Sequence, residues 1–190
     1  MKNKENSAAE KGKSKITAKK IAMLALLSAL GLITFVIENQ FPPLFVPGAK
    51  MGLANIFSMT AIIMFGPVEG LCVVVVRTVL GSLFAGNISM LMYSLTGGIV
   101  SWLASSVLIY LVCPKISVMA VSITAAVLHN ITQNIVYVLI TGTSLMLSYM
   151  PYLALIGVLS GAIVGAVVLI IFKKVPTSVF QGFMARVKES

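Results

Sequence analysis

The sequence predicts an all-α membrane protein, a six-transmembrane-helix bundle with both ends in the cytoplasm. Three observations lead there. The 190 residues are 58% hydrophobic and 10% charged, with a mean hydropathy of +1.03, whereas a soluble domain carries about 25% charged residues. Apolar runs of roughly 17–25 residues, enough to cross about 30 Å of hydrocarbon, recur along the chain. Finally, twelve of the 14 basic residues fall in segments that such a bundle places on one side, and the positive-inside rule makes that side cytoplasmic.

The order of segments follows from these runs. Residues 1–18 read as a basic cytoplasmic tail, 19–173 as the six-helix transmembrane domain and 174–190 as a second cytoplasmic tail. The helices are expected near 20–38, 51–66, 68–86, 88–113, 116–141 and 150–172. The first has no small-x-small cleavage site after it, so it reads as a retained span rather than a signal peptide. "GPVEG" (66–70) separates the second and third, with Pro67 placed to open a helix. "CPK" (113–115) parts the fourth from the fifth, and "TGTSLMLSYMP" (141–151) joins the fifth to the sixth. Seven basic residues precede position 21 and four follow position 172. This pattern fits topology and attraction to membrane lipids rather than nucleic-acid binding.

Small residues mark helix faces. Gly157, Gly161 and Gly165 recur every four residues on the sixth helix, Ser94, Gly98, Ser101 and Ser105 form a stripe on the fourth, and Ala22, Ala25 and Ala29 lie on the first. Such stripes let a neighbouring backbone approach, either within the bundle or in a partner. Cys72 and Cys113 form no CxxC pair and read as small apolar fillers.

Polar residues inside the spans need a reason. Arg77 sits in "VVVVRTVLG" (73–81), near the middle of its helix, where insertion costs roughly 2.5–3.5 kcal/mol. Thr78, Gly81, Ser82 and Ala85 share its face, which suits a cavity better than lipid. In "LHNITQNIVY" (128–137), His129, Asn130, Gln133, Asn134 and Tyr137 make a matching face on the fifth helix. Glu38, Lys50, Asn55 and Asn87 lie at the outer ends of the first three helices, so polar groups gather in the outer half and at the midplane, leaving the inner half nearly bare apart from Glu69. A pocket reached from outside, floored by Arg77 and His129, follows as the functional expectation. The competing reading is an internal network with Arg77 paired to Glu38 or a backbone carbonyl. "ENQFPPLFVPGAKMG" (38–52) reads as a stiff apolar lid over that pocket or as a loop resting on headgroups.

Several function classes lack their residues. There is no GxxxxGK[ST] phosphate loop, no CxxCH site and no metal-spaced His/Cys cluster. The chain contains no aspartate, and His129 is its single histidine.

"PGAKMGLAN" (47–55), Arg77 followed by "FAGNISMLMYSLTGG" (84–98), and "LHNITQN" (128–134) resemble the Gx transporter family over about residues 20–172. Its members are similar to substrate-binding S components of energy-coupling-factor transporters of the bacterial plasma membrane. The resemblance implies six helices, cytoplasmic ends, an outward pocket under a first-loop lid, and no enzymatic activity. The candidate ligand contacts, read from the polar residues above, are Arg77, His129, Gln133, Asn55, Asn87, Glu38 and Lys50. An AxxxA pattern on the first helix docks a membrane coupling subunit, which works with ATPases; Ala25 and Ala29 match it, with Ala22 preceding. Members often carry the label heptaprenyl diphosphate synthase component I, which implies at most a non-catalytic membrane partner of a polyprenyl diphosphate synthase here. Other relatives, the EetB-like proteins, imply flavin-based extracellular electron transfer from quinone toward extracytoplasmic flavoproteins. In that reading the pocket holds a noncovalent flavin or quinone.

Overall fold

A computed structural model describes residues 18–40, 51–113 and 115–176. Among them are α1 (Ala18–Gln40), α2 (Asn55–Met64), α3 (Pro67–Phe84), α4 (Ile88–Leu111), α5 (Val118–Thr141) and α6 (Met150–Lys174), with a 3₁₀ turn over Ser144–Tyr149. No strand occurs among the described residues. Residues 1–17 and 177–190 of the two tails and residues 41–50 of the proposed lid, Lys50 among them, lie outside the described residues.

Five of these segments are long and apolar enough to cross a membrane, and the protein is a multi-pass membrane protein. The second helix departs from the expectation of a full span. It has 10 residues, about 15 Å of rise, half the thickness of the hydrocarbon core. Glycine sets both its limits. Gly52 takes φ 67° before the turn that opens α2, and Gly66 takes φ 133° after Phe65. Both values favour a residue without a Cβ, so the apolar run cannot continue as one helix. α2 instead sits among the long helices as a buried plug: Ser58 through Met64 are all buried, and it packs on α1, α3, α4 and α6.

Each following helix begins with a recognisable device. Pro67 occupies the first turn of α3, where its missing N–H is no loss, and its carbonyl accepts from Trp102 Nε1 at 2.7 Å. The side chains of Asn87 and Ser117 accept the N–H of Met90 and Ala120 at 3.0 and 3.1 Å, capping α4 and α5. α5 stops at Gly142, in the left-handed region at φ 69°.

The glycine stripe of α6 faces α5. A Cβ built on Gly157, Gly161 or Gly165 would stand 2.9, 2.6 or 3.0 Å from a Cα of α5 (Val127, Ile123 and Met119). These helices touch backbone to backbone, as small residues allow where no hydrophobic effect draws helices together. A main core gathers Met59, Ile62, Ile63 and Phe65 with Ile109, Val121, Val164 and Val168 at the bundle end that carries the 65–67 and 112–117 turns. A smaller cluster of Phe35, Ala54 and Met90 lies toward the other end, and the polar site lies there too.

Two expectations about the first-mentioned end need correction. Lys20, counted among the N-terminal bases that set topology and attract lipid, is 5% exposed and donates to Glu69, joining α1 to the start of α3. The inner half is also less bare than expected, since Ser58, Ser101, Ser105 and Ser122 are buried on α2, α4 and α5. A few serines among many apolar residues barely lower the hydropathy of a span. Cys113 is buried, as a filler would be, whereas Cys72 is exposed on α3.

Candidate functional site

Arg77 is 3% exposed. Its stem passes over Gly31 of α1, where a Cβ would lie 3.3 Å from Arg77 Cδ, and Phe35 fills a notch at Gly81, where a Cβ would meet the ring at 2.3 Å. These two glycines bring α1 and α3 close enough to shut Arg77 off from lipid. The guanidinium points inward: Nη2 donates to Asn55 Oδ1 at 2.5 Å. Its Nε is buried without a hydrogen-bond partner among the described residues.

Around it lie Phe35, Glu38, Gly52, Asn55, Thr78, Ser94, His129 and Gln133, enclosing a cavity of about 10 Å³, room for about one water. Helices α1 through α5 all contribute to this lining. Glu38 Oε1 accepts the N–H of Leu53 at 2.8 Å, tying the end of α1 to the start of α2. On the far wall, Gln133 Nε2 donates to Ser94 Oγ at 3.4 Å, and Gln133 Oε1 has no partner among the described residues. His129, one turn earlier on α5, is 6% exposed. The arrangement presents a delocalised cation with a spare donor, an amide with a spare acceptor, an imidazole and the Glu38 carboxylate, which attracts Arg77, to a shared small space. Chemically this suits a compact anion with further hydrogen-bonding groups, because guanidinium N–H donors match carboxylate or phosphate oxygens.

Of the seven expected ligand residues, Arg77, His129, Gln133, Asn55 and Glu38 come together. Asn87 does not. It is exposed and caps α4 through its side chain. Lys50 lies outside the described residues. Of the two pairings expected for Arg77, the one with Glu38 is present as a charge attraction within the same lining, while its hydrogen bond goes to the side chain of Asn55 rather than to a backbone carbonyl.

The polar face expected on α5 divides between two tasks. Asn130 Nδ2 donates to Leu153 O at 3.1 Å and Asn134 Nδ2 to Met146 O at 2.9 Å, holding α6 and the 3₁₀ turn against α5. Tyr137 meets Tyr93 edge to face, with centroids 5.9 Å apart. Gly97, which the sequence offers only as one glycine of "TGG", makes the site possible. A Cβ there would stand 2.6 Å from Gln133 Cγ and 3.1 Å from His129 O. Its signal was weak, because Gly98 beside it fell on the recognised stripe.

A second feature lies on the outside. Ala25 and Ala29 with Leu24, Ser28 and Leu32 of α1 and Cys72, Val76 and Leu80 of α3 line an apolar groove of about 470 Å³. Ala22, Ala25 and Ala29 are exposed. Unlike the stripes of α4 and α6, this one is turned away from the bundle.

The fold is shared with a solved protein. The S component of a bacterial ECF transporter superposes with a TM-score of 0.66 over 82% of this chain and 94% of that one, at 21% identity. No match was found among curated proteins. The sequence model for heptaprenyl diphosphate synthase component I matches residues 27–171. By that match, spanning most of the chain, the protein belongs to the heptaprenyl diphosphate synthase component I family.

Proposed function

We propose that this protein is a membrane-embedded binding protein that captures a small anionic molecule from outside the cell, as the S component of an energy-coupling-factor transporter would. One observation carries this reading: a buried arginine with a spare donor shares a small cavity with His129, Gln133 and Asn55. A purely structural arginine in a membrane helix would be expected to use all of its donors within the protein.

Orientation comes from charge. With both ends in the cytoplasm of a bacterial cell, the cavity faces outward. The groove around Ala25 and Ala29 supplies the second requirement, a flat apolar face for a membrane coupling subunit that works with ATPases. The chain has no nucleotide-binding loop, so energy for release has to come from such a partner. Prenyl-chain elongation fits poorly, because it needs carboxylate clusters to hold magnesium against a diphosphate, and this chain has no aspartate. The family description therefore fits a non-catalytic component.

The test is calorimetric titration of purified protein with small carboxylates, acetate first. Arg77→Met is expected to weaken binding about 10- to 100-fold, the loss of a charge-assisted hydrogen bond, with Arg77→Lys in between. Ala25→Trp with Ala29→Trp should leave binding intact and prevent co-purification with a coupling subunit. Undiminished binding by a folded Arg77→Met protein sinks the proposal. Flavin or quinone absorbance in the purified protein would turn the reading toward electron transfer.

A further inference from the structure

Beside the Arg77 cavity, toward the Met64 end of α2, lies a second cavity of about 20 Å³. Asn55 lines both, so the two adjoin across one side chain. Ser58 of α2, Ser101 and Ser105 of α4, and Ser122 of α5 face it from three helices, each at most 5% exposed. Ser58 Oγ and Ser122 Oγ have no hydrogen-bond partner among the described residues.

A hydroxyl in an apolar helix usually bonds the carbonyl one turn back, as Thr60, Thr96 and Thr124 do. Ser58 and Ser122 forgo that bond, and an unpaired buried hydroxyl costs about 1–3 kcal/mol. Alanine would give the same close packing without the cost. Hydroxyls turned toward a cavity are therefore explained by something polar that enters it. Among the described residues no ionisable side chain lines this space, so a charged group would find no counter-charge there. The neighbouring guanidinium disfavours a cation in particular. Trp102, Met59, Ile62 and Val74 give the rest of the wall an apolar character.

We infer that the serine-lined cavity is a second subsite, which takes the uncharged, hydrogen-bond-accepting end of an organic acid whose carboxylate is held at Arg77. The ligand class is thus bipartite: a carboxylate on a compact apolar body that carries a carbonyl or similar acceptor at its far end. This inference rests on the anion-binding reading above. From Asn55 to Ser58 the helix advances about 4.5 Å, a distance that a six-membered ring substituted at opposite ends covers. Each cavity has room for about one or two waters, so a ring displaces side chains on entry. Met59, unbranched and lining the inner space, yields first.

Three probes and a native reporter test it. Acetate reaches only Arg77, cyclohexanecarboxylate adds the apolar body, and 4-oxocyclohexanecarboxylate adds the acceptor. Trp102 is the single tryptophan and lines the inner cavity, so its fluorescence reports occupancy there. Both ring acids are expected to bind more tightly than acetate and to change Trp102 emission, which acetate leaves alone. The ketone should bind about fivefold tighter than the plain ring acid. In Ser58→Ala/Ser122→Ala that gap should close while acetate binding is unchanged. The double variant removes unpaired hydroxyls, so its melting temperature should equal or exceed the parent's. Ring acids that bind no better than acetate, or a ketone preference that survives the double substitution, overturn the subsite and leave the Arg77 site standing. Failure of all three acids to bind, or equal binding by Arg77→Met, overturns the underlying reading and the subsite with it.

Discussion

Arg77 shows how far one residue can be read without its neighbours. A cation in the middle of an apolar run has to face something other than lipid, and that much follows from its insertion cost. Which groups it faces depends on two notches, Gly31 and Gly81, which let α1 close over it. Gly97 plays the same part for Gln133. Gly97→Ala would place a methyl group 2.6 Å from Gln133 Cγ and 3.1 Å from a carbonyl of α5. We expect it to destabilise by about 1–3 kcal/mol through overpacking. It should also weaken carboxylate binding severalfold, because Gln133 is displaced; thermal unfolding and titration of the same preparation check both. The Lys20–Glu69 pair, with Lys20 buried and Glu69 partly so, makes a separate residue-scale prediction. Lys20→Met should lower the melting temperature more than Lys20→Met combined with Glu69→Gln, since the single change leaves a carboxylate without its cation.

Among the helices, patterns that look alike in sequence diverge in use. The stripes of α4, α6 and α1 all repeat small residues at helical spacing. That of α6 is packed against α5 backbone, that of α4 turns Ser94, Ser101 and Ser105 toward cavities, and that of α1 stays exposed. Periodicity identifies a small-residue face but not its occupant, because both lipid-facing and protein-facing sides of a membrane helix are apolar. Gly161→Leu tests the α6 assignment. Its first side-chain carbon alone would sit 2.6 Å from Ile123 Cα, so we expect loss of the folded protein on size exclusion, whereas Ile163→Leu on the exposed side of α6 should be neutral. The length of α2 was the other point hidden at this scale. Its flanking apolar residues extend the hydropathic run past Gly52 and Gly66, where the backbone turns.

For the whole molecule, the decisive statement is orientation, since an outward cavity captures and an inward one releases. The orientation we propose, with both ends in the cytoplasm, rests on the charge distribution. With Cys72 and Cys113 replaced by Ser, Thr143→Cys at the exposed turn before α6 should be labelled from outside intact cells by a membrane-impermeant maleimide. A fluorescent protein fused after Ser190 should be bright. Labelling only after lysis would invert the topology, and with it the direction of capture.

The sequence by itself determined that the chain spans a membrane, where most helices begin and end, and that Arg77, His129 and Gln133 share a polar interior. Long apolar runs, caps, prolines and insertion costs act locally, so they are legible one segment at a time. Tertiary structure decided which polar residues meet. It drew Asn55 to Arg77, sent Asn130 and Asn134 to α6 instead, turned Ala25 and Ala29 outward, and left four serines around a cavity. The reason is physical: the rotation of each helix about its axis is fixed by close contacts at glycines and small residues on other helices, and no single segment carries that information.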